Sequence, residues 1–584
     1  MKIVVPVKQV AALDDECELL GDGSGVDPDG LEWELNEWDT FSLEAALALR
    51  EAAGEGEVVA ITVGDEEAEE GLLSALAKGA DRGLRIWDDE LAGAAPDALA
   101  VARVLAAAVG RESPDLVLCG VQSSDAVNSA TGVALAGHLG LAHVAVVKGL
   151  ERDGSALTVE RELEGGLVER LRVALPALLT IQTGINEPRA LRDAAGDQAG
   201  APEAARAADA RRSRARWRAG RERLRVAPAA AGAAGPGWGG GDARWLDRRG
   251  RGADCLAGQG APRLMAGILV LAEARRGELR EVSFELIGAA LELKPYAGDR
   301  LVVALLDAGA PGHAAALAAD GVDEVLTVTV PVAQFEAHVA GRALEALIEQ
   351  EAPELVIAAH SIDALGFAPA VAASQGLGFA SDVTGLGWDD GGPVAMRGAY
   401  GDKLIAEYDF PGKSCTLLLL RAGTFAAVDA GPGSAPARAV ELELSELART
   451  EHLGYEEVAE GDVDITKADF LLSIGRGIEE QDNIAQFKEL AQRFGATLSV
   501  SRPLVDAGWM PGARQVGQSG KTVKPRVYLA LGISGAVQHL AGMRTAETII
   551  AVNTDPEAPI FSVAHYGAVV DMFELADELE QALG

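Results

Sequence analysis

The chain repeats itself, and that repeat fixes the architecture more than any other feature. Its first copy reads as a strand at 2–7, a helix at 41–50 and a strand at 57–63. Gly79-Ala80-Asp81 and Pro114-Asp115-Leu116-Val117-Leu118-Cys119-Gly120 follow. The same order returns at 267–271, 283–293 and 300–306, then Gly321-Val322-Asp323 and Pro353-Glu354-Leu355-Val356-Ile357-Ala358-Ala359. The glycine–aspartate turn precedes the proline–acid strand by 35 positions in one copy (79 to 114) and by 32 in the other (321 to 353). Each strand is nearly all apolar and alternates with a helical stretch, the pattern of a parallel sheet covered on both faces. Two such units predict like domains paired about a pseudo-twofold axis.

A third unit runs from about residue 462 to the end. Its predicted strands are 470–474, 497–500, 527–531 and 548–552, with a final helix after Asp571. The fold class read here is therefore α/β, with three doubly wound parallel-sheet units, two of them an internal repeat. Between the copies, residues 191–264 hold fifteen Arg but no Lys or Ile in a background of Ala, Gly and Pro. No periodicity organises that stretch, so it reads as a linker.

Charge removes whole classes of function. With 51 Lys+Arg against 89 Asp+Glu the net charge is -38, which repels nucleic acid and anionic lipid. Apolar runs such as 416–420 end at charges, so no membrane insertion is expected. The start opens into a strand without a signal-peptide pattern. Cys17, Cys119, Cys255 and Cys415 form no C-x-x-C pair, so neither a disulfide framework nor a metal site is expected, and the cytoplasm is the expected location. No nucleophile–base spacing stands out, and no catalytic residue is assigned.

The unusual residues of the third unit sit at strand ends, where ligands bind in open α/β sheets. Gly475-Arg476-Gly477 and Gly532-Ile533-Ser534-Gly535-Ala536 place small residues between strand and helix, where backbone N–H groups favour a pyrophosphate. Between them lie Ser501-Arg502-Pro503 and Gln515-Val516-Gly517-Gln518-Ser519-Gly520-Lys521; Asn553-Thr554-Asp555 follows. These residues on their own indicate a dinucleotide-binding domain.

The run from Gln515 to Lys521, followed by Gly532-Ile533-Ser534-Gly535-Ala536-Val537-Gln538-His539-Leu540-Ala541-Gly542-Met543, resembles the FAD-binding signature of the electron transfer flavoprotein α subunit. Residues 265–584 resemble that whole subunit, and residues 1 to about 190 the β subunit. Leu35-Asn36-Glu37-Trp38-Asp39 and Gly120-Val121-Gln122-Ser123-Ser124-Asp125 look closest to the flavoprotein serving trimethylamine dehydrogenase. The resemblance implies a division into a β-like domain (1–190), the linker (191–264), an α-type N-terminal domain (265–461) and an FAD-binding domain (462–584).

It also implies roles. Arg502 would lie against the flavin ring, where a fixed cation stabilises negative charge and raises the one-electron potential. Ser519 would donate to flavin N5 and His539 would lie near O2. Arg476, Gln518, Ser534, Asn553 and Asp571 would contact pyrophosphate, ribose and adenine, and Ser501, Gln515, Val516, Gly517, Gly535, Ala536, Val537 and Gln538 would complete the site. The other seven histidines are read as structural. In the β-like half, Pro6, Asn36, Glu37, Trp38, Asp39, Gly120, Val121, Gln122, Ser123, Ser124, Asp125, Asn128 and Thr131 would hold a structural AMP. Glu162 would pair with Arg502 when the FAD domain swings, and Ile185 would anchor a partner-recognition loop as an exposed apolar residue.

The implied function is an electron carrier between a flavin-containing dehydrogenase and a membrane quinone oxidoreductase or similar acceptor. Two alternatives are a bifurcating enzyme with a second FAD that oxidises NADH, and a nucleotide-binding module without redox chemistry. The family makes its subunits separately, whereas here the α-like and β-like halves share a chain and would pair within it. The β tail expected after residue 190 is not recognisable. Residues 191–264 are either a true linker or an out-of-frame junction between two genes. A true fusion gives a single chain of 60.4 kDa in intact-mass spectrometry of the native protein; two shorter chains would refute it.

Overall fold

A computed structural model describes residues 1–12, 26, 31–87, 97–164, 167–189, 267–307, 312–389, 392–400, 403–431, 433–444, 447–456, 465–517, 520–536, 539–540 and 542–583. The 191–264 segment, Cys17 and Cys255 thus lie outside the described residues. The two copies form two nine-stranded sheets. The first runs, edge to edge, Thr450–Glu456, Val168–Ala174, Ala156–Glu162, Ala142–Asp153, Ala177–Ile181, Leu116–Gly120, Lys2–Pro6, Glu57–Val63, Arg82–Ile86. The second runs Leu404–Tyr408, Gly392–Ala399, Gly378–Asp389, Thr416–Leu420, Leu355–Ala359, Ile268–Ala272, Leu301–Asp307, Glu324–Thr329, Ala437–Val440. Eight strands correspond one to one. The central strands are parallel, and strands such as Leu116–Gly120 and Leu355–Ala359 are buried along their whole length. An antiparallel three-stranded hairpin extends each sheet.

The repeated glycine–aspartate turn does the same work twice. Asp81 accepts the N–H of Val58, which opens a central strand, at 2.8 Å and binds Arg50 at 2.9 Å. Asp323 accepts the N–H of Leu301 at 2.7 Å and binds Lys294 at 2.8 Å. In both copies one carboxylate takes a backbone donor at a strand's start and ties it to a cation at the preceding helix's end, which explains why the motif recurs.

Two buried arginines join the halves. Arg161 sits opposite Val147, and Arg397 opposite Val383, at the register shift of the equivalent hairpins. They are 2% and 0% exposed. Arg161 reaches Asp363 of the second half at 2.6 Å and also holds Glu169 at 2.6 Å. Arg397 reaches back to the Asn128 side chain at 2.7 Å and the Val127 carbonyl at 2.8 Å. Beside them the helices Thr131–Leu139 and Ala368–Gln375 pack so closely that a Cβ on Gly137 would stand 3.0 Å from that of Ala370. The second half also lends Thr450–Glu456 to the first sheet, antiparallel to Val168–Ala174.

The third unit is a five-stranded parallel sheet ordered Thr497–Val500, Phe470–Ile474, Val527–Leu531, Thr548–Asn553, Tyr566–Val569. The order in which strands are added reverses between Phe470–Ile474 and Val527–Leu531, so the loops after these neighbours open a crevice. No helix among the described residues is long and apolar enough to cross a membrane.

Arg161→Ala leaves the 0% exposed Glu169 with His452 as its remaining partner and removes the cation from Asp363. It should lower the unfolding free energy by about 3–5 kcal/mol in denaturant titration; under about 1 kcal/mol would refute the anchoring role.

Candidate functional site

At the switch point the backbone comes too close for side chains. A Cβ on Gly475 would lie 2.3 Å from the Gly532 carbonyl oxygen. One on Gly535, whose φ is +86°, would lie 2.2 Å from the Ile560 nitrogen. The N–H of Gly477 donates to the Gly532 carbonyl at 3.0 Å, and that of Ile560 to Ser534 at 3.0 Å. These contacts weld two strand-end loops into one cradle.

The cradle opens into a cleft of about 1170 Å³, above the ~300–1,000 Å³ of ordinary ligand sites. Arg476, Ser501, Arg502, Gln515, Val516, Gly517, Ser534, Ala536, His539, Asn553 and Asp571 all line it. Gly535 shapes the wall from behind. Gln518, Ser519, Val537 and Gln538 lie outside the described residues. Two of the lining residues have a second task. Asn553 donates to the Ile533 carbonyl at 2.9 Å and accepts from Asp555 N–H at 3.0 Å. Asp571 caps the helix Met572–Leu583, accepting from Phe573 N–H at 2.7 Å.

His539 is 6% exposed. Its Nε2 lies 2.9 Å from the Tyr528 hydroxyl, whereas Nδ1 is buried without a partner. Burial pushes its pKa down to about 4, so the ring is neutral at pH 7. Arg502 donates from Nη2 to the Thr183 carbonyl at 2.8 Å and pairs through Nε with Asp506 at 3.1 Å. The third unit is thereby docked on the first half. In this arrangement Glu162 is paired with Lys148 at 3.1 Å instead of Arg502, and Lys148 lies 3.9 Å from Asp506. Ile185 is half-buried against the first half's core, not exposed as the loop's composition suggested, because the loop folds back onto that domain.

The first-half set assembles at the carboxyl ends of its strands. Asn36 bonds the Gln122 carbonyl at 2.9 Å and the Ser124 N–H at 3.1 Å. Lys8 gives its N–H to Asp39 at 2.8 Å and its ammonium to Asp125 at 2.6 Å. Burial raises the Asp39 carboxyl to about 7 against these donors. Asn128 is held by Arg397, and Thr131 opens a helix with no side-chain cap. The Ser124 hydroxyl is buried without a partner. Glu37, Trp38, Val121 and Gln122 line the large cleft; Pro6, Gly120 and Ser123 stand outside it.

A model described as the electron transfer flavoprotein domain matches residues 25–210 and 268–449. A second, the electron transfer flavoprotein FAD-binding domain, matches residues 464–544. The chain belongs to the electron transfer flavoprotein family. The electron transfer flavoprotein subunit alpha of Methylophilus methylotrophus is 47% identical over 321 residues, covering 55% of this chain and 99% of that subunit. The subunit beta of the same organism is 46% identical over 193 residues, covering 32% of this chain and 72% of that subunit. A third relative, from Acetobacterium woodii, is named lactate dehydrogenase (NAD(+),ferredoxin) subunit LctC; it is 33% identical over 327 residues, covering 54% of this chain and 76% of that subunit. One chain thus carries both alpha-like and beta-like parts.

The third unit is the FAD-binding domain, and its residues fit the group. The glycine cradle leaves backbone room for a pyrophosphate, and the orphaned His539 Nδ1 leaves a buried polar atom that a ligand can satisfy. Sequence reasoning missed the opposite wall: Gln182, Thr183, Glu164, His360, Ser361 and Ile362. The sequence alone assigns His360 a structural place. It ends the strand Leu355–Ala359 in the second copy, as Val121 follows Gly120 in the first, and that equivalence was the available signal.

Two outcomes follow. Gly535→Ala should lose flavin on gel filtration at least tenfold more readily than wild type, or fail to load it; full retention would refute the cradle. For His539 the folded pKa lies below the unfolded ~6.5, so its contribution to stability is complete above ~6.5 and is lost as pH falls toward about 4. His539→Asn should flatten the pH dependence of unfolding in that window.

Proposed function

We propose that this electron transfer flavoprotein is a one-electron carrier that holds one FAD in the C-terminal unit and a structural AMP in the first half. When bound, the flavin would take electrons singly from a flavin-containing dehydrogenase of amine or acyl-CoA type and yield them to a membrane quinone oxidoreductase or similar acceptor in the cytoplasm. The observation that carries the reading is one cleft lined by a pyrophosphate-sized glycine cradle, a guanidinium at Arg502 and a neutral imidazole with a free nitrogen at His539.

In this reading Arg502 supplies fixed positive charge and His539 a hydrogen bond to a flavin oxygen. Arg476, Ser534 and the Gly475–Gly477 backbone face the phosphates, with Asn553 and Asp571 beside the ribose. Gln518 and Ser519 belong to the same loop. For AMP, the uncapped start of helix Thr131–Leu139 offers N–H groups to a phosphate, and Ser124 offers its unpartnered hydroxyl. Glu162 takes Arg502 as its partner when the FAD unit is repositioned, and Ile185 meets the electron donor. The motifs at 35–39 and 120–125 favour an amine-oxidising donor. Domain limits at 190, 264 and 461 complete the reading.

Acid release of nucleotides from the purified chain should give one FAD and one AMP. Two FAD and no AMP would replace this reading by the bifurcating one; no flavin would overturn both. Arg502→Ala should lower the first one-electron potential by at least about 59 mV, a tenfold change in the equilibrium constant, in a redox titration.

A further inference from the structure

Tyr528 belongs to a strand whose other side chains build the core, and a phenol there invites a purely packing role. Its surroundings differ from that. The ring is 0% exposed, and its hydroxyl lies 2.9 Å from His539 Nε2. On its other side are the hydroxyls of Ser473 and Ser499, both 0% exposed and directly opposite each other on neighbouring parallel strands. Neither hydroxyl has a hydrogen-bond partner, and the phenol is a group whose proton affinity they lower. Four buried polar groups thus run from the middle of the sheet to the cleft, in a region where an unpaired hydroxyl is costly.

Such a row has a direction. Each hydroxyl carries one proton, and a neutral imidazole carries one N–H and one bare nitrogen. If the serines donate to the phenol oxygen, the phenol proton is free to donate to His539 Nε2, and the ring's own proton must then sit on Nδ1. In the opposite direction Nε2 carries the proton, the phenol donates to serine and Nδ1 becomes a bare acceptor. An electron-rich carbonyl oxygen of a bound isoalloxazine favours an N–H on the cleft side, where Nδ1 is otherwise buried without a partner.

We propose that Tyr528, with Ser473 and Ser499 beside it, is a positioning residue that fixes His539 as the tautomer protonated on Nδ1, so that a neutral imidazole presents an N–H donor to the flavin site. The inference rests on the FAD reading of the cleft, but the tautomer itself is a property of this chain. A neutral donor has a consequence that a charged one lacks: it stabilises negative charge on the ligand without titrating near neutrality. The selection of one tautomer by the partner on the opposite nitrogen is the same physics that orients histidines elsewhere.

The test is ¹⁵N NMR of the full chain labelled at histidine, with His539→Asn used to assign the signal among the 8 histidines. Wild type should show a protonated Nδ1 and an unprotonated Nε2 at pH 7. Tyr528→Phe should shift the ring to Nε2–H or to a tautomer mixture. It should also lower the equilibrium constant for one-electron reduction by about tenfold, ~59 mV, while the FAD released per chain stays as in wild type. A wild-type ring protonated on Nε2 overturns the proposal, as does a Tyr528→Phe variant with unchanged nitrogen shifts and potential. Should Tyr528→Phe not fold, the paired Ser473→Ala and Ser499→Ala variants are expected to weaken the Nδ1–H preference, and an unaltered ring overturns it. Absence of FAD from wild type would instead refute the flavin reading and leave the tautomer result standing.

Discussion

A guanidinium taken out of water costs several kcal/mol unless its hydrogen bonds are met. Arg161 and Arg397 each meet part of that demand across the boundary between halves, one at Asp363 and the other at Asn128 and Val127, while Arg161 also holds Glu169 of its own half. Because the two residues hold equivalent places in the repeat, the exchange is reciprocal. Each half supplies hydrogen bonds to the other's buried arginine, so the folding of each is coupled to docking of the other. The segments they clamp are the loops at the carboxyl ends of Leu116–Gly120 and Leu355–Ala359. Those loops form one wall of the large cleft and hold the first-half polar set, so the geometry of both sites descends from the arginine exchange.

The third unit is attached differently. Its links to the first half include the Arg502–Thr183 hydrogen bond and the Lys148–Asp506 pair, whose side chains are 28% and 36% exposed. Partly exposed pairs of this kind are worth about 0–1 kcal/mol, well below the cost of uncovering a buried arginine. The two halves therefore make a stiff platform and the FAD unit a lightly held rider. Lys148 sits between Glu162 and Asp506, so Glu162 already has a cation as its partner in this arrangement.

Much of this was legible in the chain because the parallel strands are buried on both faces and write themselves as apolar runs, twice. The glycine–aspartate turns were legible for the same reason, since a strand start needs its first donor satisfied. The strand Thr450–Glu456 was not, because Thr450, His452 and Gly454 are half-exposed on a sheet edge and carry no apolar signal. Arg161 and Arg397 were equally hidden: a lone arginine in a strand reads as solvent-facing until the partner loop is known. At the site, the C-terminal loops could be read from their glycines and polar residues, whereas His360, Gln182 and Thr183 joined the cleft only through tertiary packing. Tyr528 looked like core, and by burial it is.

The strand Thr450–Glu456 leaves the second half, completes the first half's sheet, and only then does the chain proceed to the FAD unit. The tether of that unit thus springs from the far edge of the other half's sheet. With this interlacing and the crossed arginines, cohesion between the halves does not depend on the peptide bonds between Arg189 and Gly267. In a true fusion the covalent join contributes bookkeeping of another kind: it fixes the ratio of the two halves at one to one at synthesis and spares them a concentration-dependent search for each other.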